Sequence, residues 1–294
     1  MPMHDHPSIN YPPYHWPEDK RCAVVFSLDL DAEAPFLWLN RGKDIEYLGE
    51  IEQRRFGPRQ GLARIVRLFG EYSVRGSFFV PGVVAETYPE LLPFLLERGH
   101  EIAHHGYFHE RIEAIPVTQA EDYLGRSRDL FHSQTGLRCL GHRAPSWEMT
   151  PDFLRVLQRS DIAYDSSLMG FDHPYEVEGL VELPPQWMVD DALYFRYTNS
   201  ARDKTHPANP VAVLESWIEE FEGILECGGL FMVTIHDWIS GRAQRIRLLR
   251  KLFEHIRRCP QVWWVSAGEL ADWHRRSANR GRFLVPAHSI NTHF

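Results

Sequence analysis

Two aspartates and two histidines in this sequence have the residue types and the spacing of metal ligands and proton-transfer groups. Asp29 and Asp31 are separated by Leu30, so on a β-strand both carboxylates face the same side. Two carboxylates held close together repel each other unless a cation or a proton lies between them. His105 and His109 are four residues apart, so on a helical turn they share one face and can bind a single ion. The two clusters together indicate a metal site that also moves protons.

The ligand types restrict the metal and its role. One carboxylate and two imidazoles leave coordination positions open, as a catalytic metal requires. This set suits zinc, iron, cobalt or nickel, and the residues do not choose among these divalent ions. Each cluster also has a plainer interpretation, because paired acids are often solvated loop residues and histidine pairs arise by chance. His100 and His104 compete as ligands, but the three-residue gap between 105 and 109 favours that pair.

Four further residues can contribute to the same site. Arg143 either lies on the surface or holds one of the aspartates ionised. His236 follows the apolar run 230–235, so we expect a partly desolvated imidazole that transfers protons near neutral pH. The alternative for His236 is a histidine at the edge of the core. Trp147 and Trp238 are either core residues or walls of a substrate cleft.

The elements that position these residues follow a repeating pattern of short apolar segments and amphipathic helices. Helical spacing of apolar residues is clear in 62–69 and 214–225. The segments predicted as strands are 22–28, 76–80, 101–104, 139–142, 162–164, 180–183, 230–235 and 262–265. Strands that alternate with helices in this way favour an α/β fold, a distorted (β/α) barrel of about seven strands.

Polar residues follow the predicted strands at the positions where barrels carry their active sites. In such barrels, catalytic groups lie just beyond the carboxyl ends of the strands. Ionisable residues occur beyond five of these ends, at 29–33, 104–109, 143–147, 165–167 and 236–238. This convergence is more informative than any single motif, and it predicts one active site at this edge of the sheet.

Composition limits the remaining possibilities. The chain has 294 residues, 44% of them hydrophobic, which suffices for a sizeable core. We expect an extended arm at 1–20 and a single catalytic domain at 21–294, in which 32–59 form an active-site loop. The net charge of −8 argues against nucleic acid or an anionic membrane as partner. Four scattered cysteines, no apolar leader and no long apolar run predict a soluble cytoplasmic protein.

Taken in order, these motifs resemble the NodB-type polysaccharide deacetylases, carbohydrate esterase family four. The resemblance is closest to the branch that contains cytoplasmic peptidoglycan deacetylase homologues and the allantoinase-like and cyclic-imide hydrolases. It extends over about 22–273. The matching stretches are 27–33, 99–110, 141–147, 164–168 and 234–242, and 182–184 and 190–191 are also similar to that branch.

The resemblance implies a NodB-type fold and a role for each polar residue. Asp29 is similar to the family's general base, and Arg143 is similar to the residue that tethers this base. His236 resembles the general acid, and Asp165 resembles the acid that supports that histidine. The residues that match the family's metal ligands are Asp31, His105 and His109.

The sequence departs from the main family at two points. The family has adjacent aspartates followed by glycine, whereas here Leu30 separates the two aspartates, as is usual in the closer branch. The histidine at 236 is followed by Asp237, where the branch often has proline. The residues that we expect to contact the substrate are Trp147, Trp238 and Glu33.

These observations predict a metal-dependent hydrolase of non-peptide C–N bonds. The predicted reaction is a deacetylase-type hydrolysis of an N-acetylated or related small amide. One alternative keeps the chemistry and changes the substrate to a cyclic imide or a ureide such as allantoin, which is opened at its ring. A second alternative is a metal-binding protein without turnover, which the retained base, acid and metal triad disfavour. The resemblance also suggests a homo-oligomer.

Overall fold

A computed structural model describes residues 12–46, 48–198 and 207–287. In these residues ten strands form a single sheet. In chain order the strands are β1 Cys22–Asp29, β2 Ser77–Val80, β3 Glu101–His104, β4 Gly141–His142, β5 Tyr164–Asp165, β6 Tyr175–Val177, β7 Leu180–Glu182, β8 Leu230–His236, β9 Val262–Trp264 and β10 Leu284–Val285.

The sheet is almost entirely parallel and curls on itself. Its order is β10-β6-β7-β5-β4-β3-β2-β1-β8, and β9 pairs with the start of β1. Only β6 and β7, among the described strands, pair in an antiparallel manner. After β7 the chain reaches back to β8, where Asp190 forms an isolated bridge with Thr234. This return brings residues that follow β7 to the same edge of the sheet as the end of β8.

The predicted α/β fold with a distorted barrel is confirmed, with a larger number of strands. The described residues contain ten strands, whereas the sequence predicts about seven. The two strands without a sequence prediction are β6 and β10, which have three and two residues. A period of two cannot be recognised over so short a segment, so these strands are defined by their partners and not by their own pattern.

Twelve α-helices are formed by the described residues. They are α1 Ala34–Leu39, α2 Gly49–Phe56, α3 Leu62–Glu71, α4 Gly82–Thr87, α5 Leu91–Leu96, α6 Val117–Thr135, α7 Pro151–Arg159, α8 Asp191–Phe195, α9 Pro210–Cys227, α10 Asp237–Ser240, α11 Ala243–Ile256 and α12 Ala267–Arg276. The prediction of an active-site loop over 32–59 is wrong in part, because α1 and α2 lie inside this segment. A π-helical turn, Gly57–Gly61, then joins α2 to α3.

The centre of the core is the strand pair β1 and β8. Every residue of both strands is buried, as expected for parallel strands that are covered on their two faces. Trp217 and Phe221 of α9 and Leu249 and Phe253 of α11 belong to the same hydrophobic cluster as these strands. The carboxyl ends of β1 and β8 are therefore fixed by the best-packed part of the molecule.

The predicted arm at 1–20 is described from residue 12 onward, and the rest of it lies outside the described residues. Tyr14 is buried, and its hydroxyl lies 3.1 Å from Nδ1 of His274. The division into an arm and one catalytic domain stays a prediction. In the described ranges, no helix combines the length and the apolar character needed to cross a membrane.

Candidate metal centre and catalytic site

The two central strands place an acid and a histidine side by side. Asp29 is the last residue of β1, and His236 is the last residue of β8. The register of the parallel pair aligns these two residues directly. Asp29 also aligns with Phe79 of β2 on its other side. Residues that are 207 positions apart in sequence thus meet because parallel strands end at one edge.

Asp31, His105 and His109 form a compact cluster beyond the ends of β1 and β3. Nε2 of His105 and Nε2 of His109 each lie 3.5 Å from Oδ1 of Asp31. One ligand atom from each residue lies within 4.8 Å of the other two. Nδ1 of His105 donates to the carbonyl oxygen of Arg143 at 2.9 Å, which leaves the lone pair of Nε2 directed at the cluster.

The loop that carries the two histidines differs from the predicted helical turn. Residues 105–111 form no helix, and His109 has a positive φ of 59°. The carboxylate of Glu110 accepts hydrogen bonds from the backbone N–H groups of Tyr107, at 3.0 Å, and Phe108, at 2.7 Å. Gly106 has a φ of 68°, in the left-handed region that favours glycine. The ligand spacing therefore comes from a tight loop closed by Glu110, a residue that the sequence reasoning missed.

The electrostatics of the cluster suit a divalent cation. Burial lowers the pKa of His105 and of His109 to about 4, so both imidazoles are neutral and can act as ligands. Burial raises the pKa of Asp31, against the lowering effect of His236 and His105. Oδ1 of Asp31 is buried and accepts no hydrogen bond from the described residues. A buried carboxylate oxygen between two neutral imidazoles lacks a positive partner, and a metal ion would supply it.

Asp29 has its own positive partner. Nη1 of Arg143 donates to Oδ1 of Asp29 at 2.7 Å, and Arg143 is fully buried. The guanidinium is fixed by hydrogen bonds to Ser27 Oγ at 3.0 Å and to the backbone and side chain of Ser166 at 3.0 and 2.9 Å. Burial acts to raise the pKa of Asp29, but Arg143, together with His105 and His236, outweighs this effect, and the pKa lies below its usual range.

His236 is held by an acid other than the predicted one. Nδ1 of His236 donates to Oδ1 of Asp191 at 2.7 Å, and its backbone N–H donates to Oδ2 of Asp191 at 3.0 Å. The prediction that Asp165 supports His236 is wrong, because Asp165 lies 2.6 Å from Nδ1 of His142. The pair 190–191 matched the family branch in sequence, but spacing alone gave neither aspartate a role. The isolated bridge between Asp190 and Thr234 brings this pair to His236.

The carboxylate of Asp191 keeps His236 protonated. Burial acts to lower the pKa of this imidazole, but Asp191 and, more weakly, Asp190 raise it well above its ordinary value. Nε2 points in the opposite direction from Asp191 and lies 3.8 Å from Oδ2 of Asp31. His236 thus presents a proton on Nε2 next to the metal-ligand cluster, as a proton donor to a bound substrate must.

These groups line one compact cavity of about 190 Å³. The residues at its surface are Asp29, Asp31, Pro35, Leu39, Arg54, His105, His109, Ser146, Trp147, Trp187, Asp190, Ala192, Arg196, His236, Trp238 and Ile239. Trp147 and Trp238 therefore lie where substrate contacts are predicted. Trp187, which the sequence reasoning missed, packs on Trp147 with ring centroids 4.2 Å apart.

Glu33 is not among the residues that line this cavity, and its contact with substrate stays a prediction. Its carboxylate accepts a hydrogen bond from the hydroxyl of Tyr88 at 3.0 Å and pairs with Nε of Arg55 at 3.3 Å. The turn at Ala32, which has a positive φ of 44°, directs Glu33 away from Asp31 and toward these partners.

A larger cavity of about 370 Å³ lies at the opposite edge of the sheet, beside the start of β3. Its half-buried acid is Glu101, which accepts hydrogen bonds from Ser77 Oγ at 2.6 Å, Tyr164 Oη at 2.8 Å and the backbone N–H of Gly268 at 2.9 Å. An acid with three donors is a structural group. The smaller cavity is the better candidate for a reaction site, because its acids and histidines point into it with unpaired atoms.

Comparisons with known proteins find relatives and solved structures of the same fold. Residues 56–164 match the family model described as polysaccharide deacetylase. A crystal structure of a protein described as a polysaccharide deacetylase from Mycobacterium smegmatis superposes with a TM-score of 0.85 and 30% identity, over 97% of this chain and all of that one. The peptidoglycan deacetylase of Helicobacter pylori is 29% identical over 86% of this chain and 96% of its own. The structure of PuuE allantoinase shares the fold, with a TM-score of 0.79 and 19% identity over 92% of this chain and 96% of its own.

Proposed function

This chain belongs to the polysaccharide deacetylase family, and we propose that it is a metal-dependent hydrolase that cleaves an amide-type C–N bond in a small substrate. The observation that carries the proposal is the arrangement around one cavity. A carboxylate tethered to an arginine, a buried Asp-His-His cluster and a histidine paired with an acid all reach the same space of about 190 Å³.

Asp31, His105 and His109 are the residues that would hold the metal. A divalent ion bound there would polarise the substrate carbonyl and lower the pKa of water. His105 is oriented for this role by the Arg143 carbonyl oxygen, which fixes its tautomer. We expect zinc. Iron, cobalt and nickel are alternatives, because the ligand set is compatible with each of them.

Asp29 acts in this proposal as the general base. It is ionised because its carboxylate is paired with Arg143, and its second oxygen, Oδ2, lies 3.8 Å from Nε2 of His105 at the edge of the metal cluster. A water molecule between Asp29 and the carbonyl carbon transfers its proton to Oδ2 as it attacks. Arg143 fixes the direction of this carboxylate through the other oxygen.

His236 acts as the general acid. An amine is a poor leaving group unless it is protonated as the C–N bond breaks. The Nε2 proton of His236 faces the cavity across from Asp29, and Asp191 stabilises the charged imidazole until the proton is transferred. Base and acid are thus on two adjacent strand ends, and their partners push the two pKa values in opposite directions.

The size of the cavity favours a compact substrate. Its walls include the tryptophans at 147, 187 and 238, which leave room for one small ring or chain at the reacting centre. The relative from Helicobacter pylori is named a peptidoglycan deacetylase, which favours hydrolysis of an N-acetyl group. Ring opening of a cyclic imide or ureide is the second candidate, because a small closed ring fits the same walls. The cytoplasmic location and the homo-oligomer remain predictions from the sequence.

Product analysis separates these candidates. Metal-loaded protein is incubated with a panel of N-acetylated sugars and amines and a panel of cyclic imides and ureides, and the products are identified by mass spectrometry. Released acetate supports deacetylation, and a ring-opened acid of unchanged carbon count supports the second candidate. Asp29→Asn serves as the control for contaminating hydrolases. No turnover of any amide by fully metal-loaded protein would reject the proposed function.

A further inference from the structure

Arg54 projects from α2 into the wall of the catalytic cavity, and no step of the proposed reaction uses it. Its side chain is only 7% exposed, and its guanidinium carbon lies 4.7 Å from the centre of the Trp238 ring. Nη2 donates to Oε1 of Glu50 at 3.1 Å. Nε is buried and has no hydrogen-bond partner among the residues that the structure describes.

The known contacts of Arg54 do not use its donors fully. A guanidinium carries five N–H donors, and among the residues that the structure describes its one hydrogen bond, to Glu50, uses one nitrogen. Packing against the Trp238 ring positions the guanidinium but supplies no hydrogen-bond acceptor to its N–H groups. Leaving a buried charged donor unpaired is unfavourable, so an acceptor from the cavity is the missing partner.

A carboxylate is the acceptor that best matches this group. Arginine and a carboxylate form paired, charge-assisted hydrogen bonds, which a hydroxyl or a neutral carbonyl cannot reproduce. A neutral acceptor is the competing possibility, and it predicts no preference for an acid over its amide.

Arg54 is close to the reacting centre. Arg54, Asp31 and His109 all line the same compact cavity of about 190 Å³. A group bound to Arg54 is therefore separated from an amide at Asp29 by only a few bonds.

We infer that Arg54 is a specificity residue that binds a carboxylate of the substrate, a few bonds from the scissile amide. The inference rests on the proposed function and narrows it, because it names the class of substrate as amides of acids. The substrates that it favours are N-acylated amino acids and related amide-bearing acids, in place of neutral amides.

Matched pairs of compounds test the inference. The probes are N-acetylglycine, N-acetyl-β-alanine and N-acetyl-γ-aminobutyrate, each beside its own neutral carboxamide, so that the spacing between amide and carboxylate varies. Zinc-loaded wild type and Arg54→Gln are compared in kcat/KM and in equilibrium binding by calorimetry. At one spacing or more, wild type should prefer the acid by roughly 10- to 100-fold, as a charge-assisted pair provides, and Arg54→Gln should remove this preference.

The control variant is Arg59→Gln, in the π-helical turn after α2. Arg59 is 53% exposed, pairs with Glu52 and does not line the cavity, so its loss should leave the preference unchanged. Arg54→Lys should keep part of the preference, because lysine retains the positive charge but lacks the paired N–H donors of a guanidinium. Equal use of acid and amide by wild type at all three spacings would overturn the inference, and so would a preference that survives Arg54→Gln.

Binding separates this result from failure of the proposed function. If no probe is hydrolysed, kcat/KM gives no information about Arg54. Calorimetry still shows whether wild type binds the acid more tightly than its amide, and whether Arg54→Gln abolishes this difference. A second variant should change the acid preference in the opposite direction. Glu50→Gln removes the protein's own carboxylate from Arg54 and should raise the acid preference. A decrease in the preference with Glu50→Gln would mean that the pair only supports Trp238, which contradicts the inference.

Discussion

At the scale of single residues, the two aspartates of β1 and its following turn differ through their partners. Asp29 pairs with Arg143, whereas Asp31 faces two neutral imidazoles. The first environment stabilises an ionised carboxylate, and the second leaves Oδ1 of Asp31 without the positive partner that a metal ion would supply. Two chemically identical side chains, separated by one residue, therefore acquire different tasks from the strands around them.

Substitution of the two aspartates by asparagine should separate metal binding from turnover. Asp29→Asn should retain the metal and lose roughly 10²–10⁴-fold in kcat, because an amide cannot accept the proton of water. Asp31→Asn should lose most of the bound metal together with activity. Metal content by elemental analysis and kcat under metal excess measure both effects. Loss of metal from Asp29→Asn but not from Asp31→Asn would reverse the two assignments.

The acid partner of His236 sets the alkaline side of the pH profile. The rate requires protonated His236, so kcat/KM should fall as pH rises through the pKa of this imidazole. The Asp191 charge raises that pKa, and Asp191→Asn should therefore move the alkaline limb to lower pH. The measurement is kcat/KM against pH with a substrate that has a poor nitrogen leaving group.

Asp165→Asn provides the control for this experiment, because its carboxylate contacts His142 and not His236. This variant should leave the alkaline limb where it is, even if packing around β5 lowers the rate. An unshifted limb in Asp191→Asn, or a shift in Asp165→Asn of similar size, would restore the prediction made from the sequence. The sequence could not decide between the two acids, since their distances from His236 depend on how the chain returns from β7 to β8.

At the scale of elements, a π-helical turn fixes the surroundings of His236. Gly57–Gly61 packs against α10, which begins directly after His236. A Cβ at Gly61 would lie 2.2 Å from the carbonyl oxygen of Asp237, so only glycine allows this approach. π-Helical turns are rare and occur often at functional sites. This one also sets the direction of α2, which carries Arg54.

Gly61→Ala should therefore destabilise the protein and impair catalysis. Overpacking at a backbone contact costs about 1–3 kcal/mol of unfolding free energy. Gly70→Ala in α3 is the matched control, because its Cβ meets no atom within 4 Å and alanine favours the helix by about 1 kcal/mol. Urea unfolding measures the free energy of unfolding of both variants, and kcat/KM measures the effect on catalysis. Equal stability of the two variants would show that the turn tolerates a side chain.

Element prediction succeeded where a segment carries its own pattern. The N-cap and proline pairs Thr150-Pro151 and Asn209-Pro210 begin α7 and α9, and both caps accept a backbone hydrogen bond. Thr118 and Glu121, by contrast, have the sequence spacing of a capping box but form none, because α6 already begins at Val117 after Pro116. The helices α1 and α2 were missed because they are short and lack clear apolar spacing. Arg54 could not be placed in the cavity without α2.

At the scale of the whole molecule, a parallel sheet explains why motifs far apart in sequence form one site. Strand ends collect at a single edge, so the order of polar motifs along the chain was enough to predict the edge and the metal triad. The sequence could not predict the curl that brings Asp190 to Thr234, because an isolated bridge leaves no periodic pattern. Trp187, which the sequence reasoning missed, likewise reaches the site through a contact with Trp147, a residue far from it in sequence.

The most direct measurement is a metal titration of chelator-treated protein, followed by both metal occupancy and amide hydrolysis. We predict that turnover is absent without metal and rises in proportion to bound zinc until about one ion per chain, as one set of three ligands implies. The double variant His105→Ala and His109→Ala should bind no stoichiometric metal and remain inactive. Full hydrolysis by metal-free protein, or full metal occupancy in the double variant, would contradict a metal-dependent reaction at this cluster.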